Sequence, residues 1–263
     1  MSKGKLYLVG LPIGNWDDVS KRSLDYIKNA KYMIIEREEA FEQIWHKLGM
    51  QKPDAKIISI EMDSNGGEPG HSYELQNMQQ ILDILESGED MYLVSDEGMP
   101  GIADPGELIT KQAIARGIEI IATPGPSVAI ASVAVSGCMH NFSFESFLPW
   151  LSEERIDYIT KRKYNYAPMV FVLRNMMRTP DNQPAFHTEI PEFLNECIEV
   201  FGPDRKVVMC YNLTKPNEKT VRGTLKYMQE TFLDTRQLGD LITIVIDTDG
   251  NSFGQMGKFK NNN

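Results

Sequence analysis

The sequence predicts an α/β protein of two domains, the first built on a mostly parallel sheet. Short apolar runs alternate with helix-period segments through the first 147 residues, the pattern of strands covered by helices. The texture then changes at FLPW (147–150), where Pro149 precedes a charged, helical stretch. Loops in which Gly and Pro occur together follow three of the apolar runs. These observations divide the chain into a first domain at 1–147, a second at 148–248 and a polar, disordered tail at 249–263.

LYLV (6–9) reads as the first strand, followed by a loop and a helix near 20–30. YMIIE (32–36) is the second. Phe41, Ile44, Trp45 and Leu48 then recur at helical spacing and stop at Gly49. KIISI (56–60) is the third strand. After the acidic EMDSNGGEPG, the residues Leu75, Met78, Leu82 and Leu85 mark a helix closed by Gly88. MYLVS (91–95) and EIIA (119–122) complete the five strands, with a helix near 107–116 between them. In the second domain, MVFVLR (169–174), KVVMCYN (206–212) and LITIVID (241–247) read as strands, and 191–201 and 223–232 as helices.

The chain has 263 residues and a net charge of −10, which argues against a protein that grips polyanions over its whole surface. The charge is uneven: residues 1–150 carry 12 Lys and Arg against 22 Asp and Glu, whereas 151–263 carry 15 of each. A nucleic acid would approach the second part more readily. The first residues, MSKGKLYLVG, fit neither a signal peptide nor a membrane span, so a cytoplasmic location is expected. Cys138, Cys197 and Cys210 lie far apart and share no spacing with the four histidines, so neither zinc nor a disulfide is expected.

In an open α/β sheet, ligands gather where the strands end and the loops begin. Three loops qualify: GLPIGN (10–15), DEGMPGIADPG (96–106) and TPGPS (123–127). Glycine admits close backbone approach and proline stiffens the loop, so main-chain groups can be aimed at a ligand. A single loop of this kind is also what any strand-to-helix turn requires. Three on one sheet edge, one of them with Asp96 and Asp104 flanking a Pro-Gly centre, point to a cofactor cleft. Neither a Walker A pattern nor GxGxxG occurs, so the residues alone leave the cofactor's chemistry open.

The segments "LVGLPIGNWDDVSKRSL", "LVSDEGMPGIADPG", "IATPGPSVAIASVAVSG" and "FSFESFLP" resemble, in order, the motifs of the tetrapyrrole methylase superfamily. They are most similar to its ribosomal RNA small-subunit 2′-O-ribose (cytidine) methyltransferases, as is "LTKPNEKTVRGTL" (213–225). The resemblance spans nearly the whole chain. It implies two α/β domains, the second with a mixed sheet, and S-adenosylmethionine bound in the trough between them, commonly in a homodimer. Carried onto this chain, the cofactor would touch Pro12, Asp96, Gly98, Gly101, Ile102, Ala103, Asp104, Pro126 and Ser127.

Methyl transfer from a sulfonium to a hydroxyl requires alignment and removal of the acceptor's proton. Candidate bases are Asp96 and Asp104 first, then Glu36, with Glu97 and Glu38 also near loop mouths. Each could equally be a helix cap or a surface carboxylate. The chain departs from the subfamily after the second strand, where Glu36-Arg37-Glu38-Glu39 replaces an acidic pair followed by Thr and Arg. "RIDYITKRKYNY" (155–166) interleaves Arg155, Lys161, Arg162 and Lys163 with tyrosines, a composition suited to RNA of the small ribosomal subunit, or to a solvated helix face. The alternatives are a small-molecule (tetrapyrrole-like) or peptide acceptor, and a cofactor-binding interaction module without catalysis.

Overall fold

Five apolar runs form the first sheet: β1 (Lys5–Val9), β2 (Tyr32–Ile35), β3 (Lys56–Ser59), β4 (Met91–Val94) and β5 (Glu119–Thr123). Their order is β3-β2-β4-β1-β5, and every pairing is parallel. The computed structural model describes residues 2–60, 77–138, 141–149, 151–164, 167–174, 176–178, 184–186, 189–233, 235, 238 and 241–247. Leu75, Tyr166 and the tail expected at 249–263 lie outside the described residues.

Strand side chains alternate between the two faces, so each run builds two cores. Leu6, Ile34, Ile58, Met91 and Leu93 pack with Ile81, Leu82 and Leu85 of α3 (Met78–Glu86) and with Ile109 and Ala113 of α4 (Glu107–Ala115). Val9, Met33, Ile35 and Val94 pack on the other face with Ile27 of α1 (Lys21–Asn29) and with Phe41, Ile44 and Trp45 of α2 (Glu38–Lys47). Each such fully buried aliphatic side chain contributes about 1.5–3 kcal/mol. Ser20 starts α1 by accepting a hydrogen bond from the Ser23 N–H at 3.0 Å.

The second sheet has the order β11-β10-β12-β7-β6, with β6 (Ser143–Phe147), β7 (Met169–Arg174), β10 (Lys206–Tyr211), β11 (Lys219–Thr224) and β12 (Leu241–Ile246). It is mixed: β6 and β7 are parallel, the other pairs antiparallel. The short strands β8 (Met176–Arg178) and β9 (Pro184–Phe186) form a separate antiparallel pair. One face carries α5 (Val128–Ser136); the other packs with α6 (Ser152–Lys161), α7 (Glu189–Phe201) and α8 (Leu225–Thr231).

The chain divides into compact units after Ser127, earlier than the change of texture at 147. The reason lies in what residues 128–147 pack against. Ala129 of α5 joins Val170, Val208, Cys210 and Val245 in one cluster, and the Ser132 and Thr243 hydroxyls are 2.5 Å apart. β6 pairs with β7. Its sequence SFESF alternates weakly and lacks an apolar run, which is why periodicity alone did not mark it as a strand.

Candidate active site

The carboxyl ends of β4, β1 and β5 lie side by side at the centre and edge of the first sheet, so the loops that follow them meet. Gly10, next after β1, donates its N–H to the Thr123 carbonyl at 3.1 Å and accepts the Ser23 hydroxyl at 2.9 Å. A Cβ on Gly10 would lie 2.7 Å from Gly125 Cα and 2.6 Å from Met99 Sδ. Only a residue without a side chain lets the three loops converge there.

Leu11 and Gly98 exchange backbone hydrogen bonds, N–H to O at 2.8 and 3.2 Å, which ties the first loop to the long one. The long loop is folded on itself: the Gly101 N–H donates to the Pro105 carbonyl at 3.0 Å, and the Ile102 N–H to that of Met99 at 3.3 Å. Its backbone enters the left-handed region at Gly98, Gly101 and Gly106, and also at Ala103 (φ 62°). The last is strained, at a cost of about 1–2 kcal/mol for a residue with a Cβ. Ile102 is 58% exposed at the tip.

The carboxylates cluster at this edge. Glu36, next after β2, accepts the Asp96 N–H at 3.3 Å, and Arg37 donates to Asp96 through Nε at 2.8 Å and through its terminal nitrogen. Burial pushes the Glu36 carboxyl above its ordinary range, and the charge of Asp96 adds to this. Asp104 is pushed further, to about 8, by burial first and then by Glu36, Asp96 and Glu97. The structure therefore brings Glu36, Asp96 and Asp104 into one electrostatic group. Glu38 instead occupies the first turn of α2, where a carboxylate complements the helix dipole.

Sequence reasoning singled out neither Arg37 nor Thr123. Arg37 appeared only as a departure from a motif, and its pairing with Asp96 is a long-range contact. The Thr123 hydroxyl, at the end of β5, is buried and has no hydrogen-bond partner among the described residues. A threonine opening TPGPS was its only signal.

The structure divides the basic stretch at 155–163, taking Arg155 out of the candidate nucleic-acid surface and leaving Lys161 and Lys163 outside the core. Arg155 is 2% exposed and held by Glu196 at 2.8 Å and Glu192 at 3.2 Å, so it is an interior ion pair of the second unit. Arg162 stacks on Tyr158, 3.4 Å from the ring centre, and its Nε donates to Glu145 at 2.5 Å. Lys161 is exposed and pairs with Asp157. Among the described residues, no group of His, Cys, Asp or Glu is placed to hold a metal ion, and no helix is long and apolar enough to cross a membrane.

A parallel five-stranded sheet followed by a mixed one, with glycine-rich loops at the strand ends, defines the class: an α/β protein of two units. The structure is similar to diphthine synthase (TM-score 0.64, 16% identity, 92% of this chain and 90% of that one). It is also similar to cobalt precorrin-4 methyltransferase, a cobalamin biosynthetic enzyme (TM-score 0.58, 17% identity, 92% and 94%). At such identities the likeness concerns the fold. Residues 5–229 match the tetrapyrrole (corrin/porphyrin) methylases, and the chain belongs to that family. Its relatives include the ribosomal RNA small subunit methyltransferase I of Xylella fastidiosa Temecula1, 31% identical over 92% of this chain and 81% of the relative. The protein of the same name from Thermotoga maritima is 29% identical over 92% and 98%.

The family is one of S-adenosylmethionine-dependent methyltransferases. The loops fit that cofactor on three observations: an unpartnered buried hydroxyl at Thr123, apolar surface exposed at Ile102, and a carboxylate group suited to a cationic ligand.

Proposed function

We propose that this protein transfers a methyl group from S-adenosylmethionine to a ribose 2′-oxygen of small-subunit ribosomal RNA. The observation that carries the acceptor is the near full-length similarity to several proteins that bear the ribosomal RNA small subunit methyltransferase name. When bound, the cofactor supplies an electrophilic methyl on a positively charged sulfur. Pro12, Gly98, Gly101, Ile102, Ala103, Pro126 and Ser127 would hold it, with Thr123 as a hydroxyl donor.

The chain's own chemical task is to accept the ribose hydroxyl proton. Asp104 suits it best, because burial, and then three neighbouring carboxylates, raise its basicity to the range in which a general base is effective. Asp96 is anchored by Arg37 and orients the loop, and Glu36 holds the Asp96 backbone. A homodimer in the cytoplasm completes the reading; light scattering tests the assembly.

The deciding experiment offers labelled S-adenosylmethionine and small ribosomal subunits that lack the modification, then digests the RNA. Label on a 2′-oxygen is expected. Cofactor binding without transfer to RNA, together with transfer to a tetrapyrrole or peptide, overturns the acceptor.

A further inference from the structure

The pairing of Arg155, Lys161 and Arg162 with carboxylates leaves open which surface could meet an RNA backbone. A different stretch stands out. From Arg205 to Lys226 the chain carries six basic residues and one acidic, in a protein of net charge −10. This stretch folds as the hairpin β10–β11, and β11 is an outermost strand of its sheet.

The loop of that hairpin, 212–218, is held in a strained shape. Asn212 (φ 54°) and Thr214 (φ 66°) both have left-handed backbones, which asparagine tolerates and which are unfavourable for a β-branched threonine. Buried Leu213 anchors the segment between them in the core with Val208, Cys210 and Val245. The Lys215 N–H donates to the Asn212 carbonyl at 2.9 Å, and the Glu218 N–H to that of Lys215 at 2.9 Å. The Glu218 side chain, the one acid of the stretch, accepts the Thr214 N–H at 2.6 Å. The loop is thereby fixed, and Lys215, Pro216, Asn217 and Lys219 are exposed on it.

Neither Lys215 nor Lys219 has a carboxylate within ion-pair distance among the described residues. Arg222, three residues along β11 from Lys219 and so on the opposite face, is turned toward α5, where it donates to the Val135 carbonyl. An edge strand also turns alternate backbone N–H groups outward. Unpaired ammonium groups and outward N–H donors along one edge are what phosphate oxyanions require.

We infer that the outer edge of the second sheet, from loop 212–218 into β11, is a docking surface for the RNA backbone, with Lys215 and Lys219 taking phosphates. This rests on the RNA reading above. Because the loop is preorganised, the phosphate contacts form with little further loss of chain entropy.

The test measures binding of a small-subunit ribosomal RNA fragment by fluorescence anisotropy across a salt series, for wild type, for Lys215→Gln/Lys219→Gln and for Lys161→Gln/Lys163→Gln. S-adenosylmethionine affinity by calorimetry checks that each variant is folded. The hairpin variant is expected to bind RNA about tenfold more weakly near 0.15 M salt and to lower the salt slope by about 1 to 2. Unchanged RNA affinity and slope in that variant overturn the inference, and would leave the lysines as guards against edge pairing. Loss confined to the 161/163 variant also overturns it. A wild type that binds no RNA overturns the acceptor reading and this inference together.

Discussion

Asp104 combines a buried carboxyl with three like-charged neighbours, and its proton has consequences for both stability and rate. Folded, it holds the proton up to about pH 8; unfolded, it releases it near the ordinary aspartate value of 3.8. The folded state thus binds this proton more tightly, so the stabilisation is complete below the unfolded value and is lost as pH rises through about 8. Asp104→Asn should remove that slope: thermal melts across pH 5–9 are expected to show the variant gaining on wild type as pH increases. The same variant should lose at least about a hundredfold in kcat if the carboxylate is the base. In wild type, kcat should climb through pH 8. A variant with full activity and an unaltered profile removes Asp104 from the reaction.

Arg155 belongs to the residue scale as well, and its role is structural. Removing one partner of a buried pair strands the other, so Arg155→Ala should cost about 3–5 kcal/mol by leaving Glu196 uncompensated. Urea denaturation measures this. Replacing Arg155 together with Glu196 by apolar residues should recover much of the loss.

At the scale of elements, the three loops behave as one unit because Gly10 touches Met99 and Gly125. Gly10→Ala places a Cβ within 2.7 Å of the Gly125 backbone, which cannot retreat without shifting the β5 loop. The expected result is a tenfold or greater loss of S-adenosylmethionine affinity, on the order of 1.4 kcal/mol or more, with a smaller fall in melting temperature. Calorimetry and a thermal scan separate the two. Equal cofactor affinity would show that the loops do not act together.

The strands of the first sheet, three of the second and most helices were legible because their signals are local. Apolar runs bounded by Gly, and helical spacing such as Phe41, Ile44 and Trp45, are set by backbone geometry within a few residues. β11 was not legible as a strand: KTVRGT is polar on an exposed edge and gains its identity from pairing with β10. Helix α5, VAIASVAVS, has apolar or small residues on every side, so no stripe declared which sheet it would cover.

At the scale of the whole molecule, charge is distributed by function. The excess of acid lies in the part that carries the candidate cofactor loops, where three carboxylates add to burial in raising the Asp104 carboxyl. The balanced second part can still present a basic edge, because its charges are unevenly placed: Glu192 and Glu196 pair with Arg155, while Lys215 and Lys219 lie on the hairpin. The sequence by itself determined the class of fold, the five strands of the first sheet and the loops that form the candidate cofactor site, since period, Gly and Pro act at short range. Only the tertiary structure decided where the chain divides, that Arg155 is interior, and that Glu36, Asp96 and Asp104 share one field. Those facts depend on which distant residues burial brings together, and a carboxyl's proton affinity depends on its neighbours in space.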